Sequence, residues 1–179
     1  LDSAVSNNDK ASLEVLQSMG LNLIPIELPD FPTQSLSFVL QAEAAAAFDE
    51  LTRTNKDDKM VRQVQNAWPN VFREARFIPA VEYINANRAR TLLNQKMAKL
   101  METIDVYLIP SFYGDNLLRT NLTGHPCVVV PNGFNNKGRP TSISFIGDLY
   151  EDGNVLAMAK AYQETTDWHK QYPPKFKIE

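Results

Sequence analysis

Residues 104–146 constrain this chain more than any other stretch, because the apolar period changes there. Ile104 to Ile109 and Cys127 to Val130 are nearly continuous apolar runs rich in β-branched residues. Such runs are expected of strands covered on both faces. Thr141 to Ile146 alternates Ile143 and Phe145 with Ser142 and Ser144, the two-residue period of a strand, and Asn132 to Arg139 is a polar, Gly-containing connection of hairpin type. Three strands with helical patterns before and after them predict an α/β fold, part of a mixed sheet covered by helices. Cys127, opening a Val-rich strand, reads as a core thiol, because free cysteine is among the most buried residue types.

Upstream, Asn8 or Asp9 can cap a helix through Leu13, Leu16 and Met19 that Gly20 ends, and a strand follows at once from Leu21 to Leu28. Pro25 lacks an N–H for a ladder, which predicts an edge or bulged strand. A helix running straight into a strand resembles the second half of a βαβ crossover, whose first strand would have to precede Leu1. The absence of an initiator methionine points the same way. Thr33 is placed to cap a long helix reaching Leu51, Thr54 to Lys59 is a charged break, and a further helix is expected from Met60 to Trp68 with a turn at Pro69. Pro79 suits the first turn of the longest helix, which carries Tyr83, Ala86, Arg90, Leu93, Met97 and Leu100, and a last helix runs from about Asn154 to Trp168. The 179 residues are the size of a single domain, 1–179.

Composition excludes several function classes. With 44% hydrophobic and 22% charged residues the chain is an ordinary globular one. Its net charge of −3 gives no general attraction for phosphate backbones, so no direct nucleic-acid contact is expected. No apolar run approaches the ~18–20 residues of a spanning helix, so no membrane segment is expected. Cys127 stands alone and cannot form an internal disulfide, and His125 and His169 have no metal-ligand spacing, so neither metal nor cofactor is implied. G-x-S-x-G does not occur, and Ser142 and Ser144 have no glycine pair beside them to form an oxyanion hole. Gly133 to Gly138 begins like a phosphate loop, but Arg139-Pro140 stands where Lys-Ser/Thr is needed. The remaining candidate is the loop Ser111-Phe112-Tyr113-Gly114-Asp115, which leaves the C-terminal end of a buried strand, where α/β folds usually hold ligands.

The strings A-V-E-Y-I-N-A-N-R-A-R, D-V-Y-L-I-P-S, N-L-T-G-H-P-C-V-V-V-P-N-G-F and G-R-P-T-S-I-S-F-I-G occur in that order from Pro79 onward. Together they resemble the C-terminal third of amidase-signature enzymes, and S-M-G-L-N-L-I-P-I-E-L-P and Q-A-E-A-A-A-A-F resemble the stretch before it. The resemblance implies the C-terminal portion of the amidase-signature fold, a fragment of a larger domain. It also implies a parent enzyme that hydrolyses amides with a Ser nucleophile, a bridging cis-Ser and a Lys base. All three lie N-terminal to the matched segment in that family, and no Gly/Ser-rich signature is present here, so no catalytic residue carries over. Ser111 stands where the family usually has threonine, and the loop after it helps line the substrate cavity. By that match Ser111, Phe112, Tyr113 and Asn121 are the candidate substrate-binding residues, Asn121 tying the incoming loop through its amide, and the loop from Gly114 to Thr120 is short for the family.

These readings predict a chain that completes a sheet and one cavity wall, is inactive alone, and self-associates or pairs with the remaining part of an amidase body. Two alternatives differ in class. One is a self-sufficient, non-catalytic binding or assembly module, and the other is part of the A subunit of a tRNA-dependent amidotransferase.

Overall fold

The computed structural model describes residues 3–176, which fold into two compact units. One comprises the chain up to Pro29 and from Lys96 onward, the other Asp30–Gln95.

The first unit holds the sheet. Strands β1 (Val106–Pro110), β2 (Cys127–Phe134) and β3 (Pro140–Gly147) stand in the order β1-β3-β2, and both pairings are antiparallel. Phe145 faces Leu108 on one side and Val128 on the other. Because side chains alternate along a strand, Ile143 and Phe145 share a face with Val128, Val130, Val106 and Leu108. Helices α1 (Ser3–Ser18) and α7 (Asp152–Thr165) bring Leu16, Val155, Ala159 and Tyr162 onto that face to form the core. Phe145 and Tyr162 meet ring to ring at 5.7 Å.

A polar pin fixes α1 on the sheet. The Asn8 amide donates to the Phe134 carbonyl (3.1 Å) and Thr141 Oγ1 (3.0 Å), while Asn132 donates to Asp9 Oδ1 (3.0 Å). The fully buried Ser12 and Tyr162 hydroxyls share a hydrogen bond of 3.0 Å. The Asn8 amide occupies the space a Cβ would need at Gly133, 2.6 Å away, and Gly133 adopts φ +143°, so this position requires glycine.

Several sequence-based expectations are corrected here. Residues 21–28 form no strand. Half-buried and exposed side chains alternate on either side of a phase shift at Ile24-Pro25, both exposed, but no ladder closes on the stretch among the described residues. Cys127 is exposed rather than a core thiol, and Val129 is 56% exposed. The strand β2 lies at a sheet edge with only its other face covered, so its apolar run did not mean burial on both sides. Of residues 114–120, read as loop, 116–120 belong to helix α6 (Asn116–Thr123), which Gly124 terminates at φ +81°. Its buried residues are Asn116, Arg119, Thr120, Leu122 and Thr123, so the face turned inward is mostly polar and leaves no apolar period to read.

In the second unit the helix expected from Thr33 to Leu51 is broken into a 3-10 turn (Thr33–Leu36), α2 (Phe38–Ala47) and α3 (Asp49–Arg53). Thr33 Oγ1 bonds back to the Phe31 carbonyl instead of capping a helix, and the break falls at Phe48, whose ring stacks on Phe72 at 5.5 Å. Residues 60–67 are irregular, and α4 (Trp68–Ala75) starts where a helix was expected to stop. Pro69 sits in the first turn of this helix, where its missing N–H would have no intrahelical partner in any case. Arg73 pairs with the buried Asp57 (2.6 Å) and with Asp58 (2.7 Å). The longest helix, α5 (Ala80–Met101), begins just after Pro79, as its sequence predicts.

Candidate functional site

The loop after β1 is held at both ends. The Ser111 N–H donates to the Ser142 carbonyl (3.3 Å), and the Ser111 hydroxyl shares a hydrogen bond of 2.8 Å with the buried Ser144 hydroxyl on β3. At the far end Arg119 Nη2 donates to both Asp115 oxygens at 3.2 and 3.3 Å. Between these anchors Phe112 adopts φ +65° and Gly114 φ +57°. A left-handed backbone at a bulky non-glycine residue costs about 1–2 kcal/mol. It persists here on a loop whose flanks are fixed, which is the usual setting of a binding loop. The result is that Phe112 and Tyr113 stand out from the sheet end, 83% and 60% exposed.

Beneath the loop lies a polar layer. The Tyr107 hydroxyl donates to Asn116 Oδ1 (2.9 Å), joining β1 to α6, and burial pushes its phenol pKa far above the usual range. Thr123 Oγ1 donates to the Arg119 carbonyl (2.9 Å) and lies 2.8 Å from His125 Nδ1. His125 Nε2 stands 3.8 Å from Asp148 Oδ1. Burial lowers the His125 pKa below 6.5, and the Asp148 carboxylate opposes that shift. The folded state therefore prefers the neutral imidazole, while the unfolded chain protonates first as pH falls. Stability from this residue is complete above pH 6.5 and is lost as pH drops through the folded pKa. Urea unfolding followed from pH 8 to pH 5 should show this loss, and His125→Asn should flatten it.

The sequence-derived candidates separate in space. Ser111, Phe112 and Tyr113 form one continuous feature. Asn121 lies exposed on α6, and no hydrogen bond from its amide is present among the described residues. Sequence reasoning missed Ser144 as the partner of Ser111 and Arg119 as the partner of Asp115. The i, i+4 spacing of Asp115 and Arg119 was the available signal. Ser144 also hydrogen-bonds Cys127, which partly offsets the desolvation that raises the thiol pKa. This row of hydroxyls and thiol contains no base, so it offers no activated nucleophile. Among the described residues no group of three His, Cys, Asp or Glu side chains is arranged to hold a metal ion. No helix of the described residues is long and apolar enough to cross a membrane.

No family model matches the chain. The A subunit of the glutamyl-tRNA(Gln) amidotransferase of Rippkaea orientalis is 24% identical over an alignment that covers 97% of this chain and 44% of that protein. In three dimensions the chain superposes on a bacterial aryl acylamidase of the amidase signature family with a TM-score of 0.74 and 16% identity, over 93% of this chain and 41% of the other. The chain has the C-terminal part of the amidase-signature fold. An allophanate hydrolase of Kluyveromyces lactis shows the same likeness, with a TM-score of 0.70 and 18% identity over 90% of this chain and 29% of the other. The chain thus spans less than half the length of each of these proteins. The fold assignment agrees with the motif strings between Pro79 and Gly147, the first of which lies on α5 and the others on β1, on the end of α6 with β2, and on β3.

Proposed function

We propose that this chain serves as the closing portion of an amide-hydrolysing amidase-signature body, completing its sheet and contributing the Ser111-Phe112-Tyr113 loop to the wall of the substrate cavity. The observation that carries the reading is the fixed, strained loop at the end of β1, set in a segment with the amidase-signature fold. Two exposed aromatic rings at a sheet end offer the apolar surface on which the non-reacting part of a small amide can rest. The bond-breaking Ser, cis-Ser and Lys implied by the resemblance have no counterpart in these 179 residues. The partner of this chain is then the remainder of such a body, and its substrate is a small amide.

The test is a chimera in which this chain replaces the aligned segment of the bacterial aryl acylamidase. The chain alone should not hydrolyse simple anilides, whereas the chimera should. In the chimera, Phe112→Ala and Tyr113→Ala should each lower kcat/KM about tenfold, or ~1.4 kcal/mol of transition-state binding. Turnover by the chain alone that a serine-directed inhibitor abolishes would overturn the reading.

A second reading, part of the A subunit of a tRNA-dependent amidotransferase, draws on the names of sequence relatives such as that of Rippkaea orientalis. Binding of the chain to the other subunits of such a complex, measured by co-purification, would favour it over a free hydrolase.

A further inference from the structure

Within the first unit a cavity of about 620 Å³ lies beside the sheet, lined by Leu13 and Leu16 of α1, the core-facing Ile143 and Phe145, the extended stretch 21–26, and β1. None of Ser111, Phe112, Tyr113 or Asn121 lines it. Two of its borders are stretches of backbone with free hydrogen-bonding groups. In β1 the Ser111 N–H points to β3, so by the alternation of an antiparallel pair Ile109 and Tyr107 point there too. Val106, Leu108 and Pro110 therefore turn their backbone groups to the open edge, and Pro110 has no N–H to offer. In the other border, residues 22–28 make no backbone–backbone hydrogen bond among the described residues, although Leu21 and Leu23 pack on the core. Half-buried backbone left unpaired over a whole strand length is costly, and each border has what the other lacks a route to.

We propose that this cavity is a slot for one extended apolar strand, which pairs with β1 on one side and with residues 21–28 on the other, making a single sheet in the order β2-β3-β1-slot-(21–28). The proposal rests on the reading that the chain completes an amidase-signature body, and the occupant is a strand of the remainder of that body. Three observations favour this occupant. The chain covers only 41% of the acylamidase it superposes on, so that fold has further polypeptide to supply strands. The cavity is lined mostly by apolar side chains, which suits a Val/Ile-rich segment. Finally, α1 packs on the core face of the sheet and leads into residues 21–28, as the helix of a crossover between neighbouring parallel strands does, so the occupant runs parallel to 21–28. Recognition of this kind takes its affinity from main-chain hydrogen bonds, and the apolar lining sets which side chains are accepted.

Amide hydrogen exchange read residue by residue tests the slot. In the chain as it stands, the Val106 and Leu108 amides should exchange at least about a hundredfold faster than those of Tyr107 and Ile109, which are bonded to β3. A variant extended ahead of α1 by a strand of about six Val/Ile residues and a short loop should gain at least about tenfold protection at Val106, at Leu108 and within 22–28. The same extension with proline at alternate positions should gain none. Val106 and Leu108 already protected in the unextended chain would overturn the proposal, whether the protection is independent of concentration (a closed edge) or grows with it (pairing between copies). So would unchanged exchange in the extended chain. An active chimera combined with unprotected Val106 and Leu108 amides in that chimera would sink the slot alone, whereas an inactive chimera with those amides protected would sink the functional reading alone.

Discussion

Phe145→Ala is expected to destabilise the first unit by about 3–5 kcal/mol, the range measured for truncating a buried aromatic. The ring is 1% exposed, lies at the centre of the core with Ile143, Val130 and Val155, and meets the Tyr162 ring at 5.7 Å. It also borders the cavity beside β1, so its removal enlarges a space that the neighbours already leave unfilled. The structure around it has little to collapse with, because α1 is fixed by the Asn8 and Asn132 hydrogen bonds and Tyr162 by Ser12. Trp168 sits in the same unit with its ring 6.4 Å from Phe134, and Trp68 is the other tryptophan of the chain. In a Trp68→Phe background, urea unfolding followed by fluorescence therefore reports this unit. Phe145→Leu, which keeps most of the volume, should cost less than half as much. A loss below about 1 kcal/mol for Phe145→Ala would show that the sheet face is not the core described here.

Gly147→Ala should cost about 3 kcal/mol, the upper end of the usual range for overpacking. A Cβ at that position would stand 2.3 Å from Val155 Cγ2, and Val155 is fully buried in the first turns of α7. Neither partner is free to yield. The Gly147 N–H donates to the Pro126 carbonyl (3.1 Å) and the residue pairs with Val106 in the sheet, so the strand is held. Moving Val155 means moving the helix. The effect should be strongly coupled: in the Val155→Ala background the same change should cost at least about 1 kcal/mol less, because the clashing methyl group is gone. Additive losses in that double-mutant cycle would place the cause elsewhere.

The second site-directed change and the sequence motifs meet at the same residue. Gly147 closes the string G-R-P-T-S-I-S-F-I-G, and its need for glycine comes from helix packing rather than from backbone angle, since its φ is not in the left-handed region. The alternation at 141–146 placed Ile143 and Phe145 on the core face and Ser142 and Ser144 on the other, although that other face is covered as well towards the end of β3, where Ser144 and Ile146 are buried. The helix after Pro79 was legible for the same kind of reason, a proline in the first turn followed by a sustained helical period. Helix α6 was not legible, because its buried face consists mainly of Asn, Arg and Thr that find partners only in the folded chain. Of the candidate site, the loop Ser111-Phe112-Tyr113 could be named from its place after a strand, whereas its anchoring by Ser144 and by Arg119 depends on residues brought together by sheet register and helix geometry.

The three strands between residues 104 and 147, the long helix after Pro79, the core-facing Ile143 and Phe145 of β3, and the likeness to the amidase-signature family were carried by the linear pattern of residues, because periodicity and motif spacing are local properties. Which strands are edges, that Cys127 and Val129 face outward, that Phe48 breaks a helix, and that residues 21–28 stay unpaired were decided only in three dimensions. An apolar run records a preference for burial but not which neighbour covers it, and a strand forms only where another backbone presents complementary N–H and C=O groups.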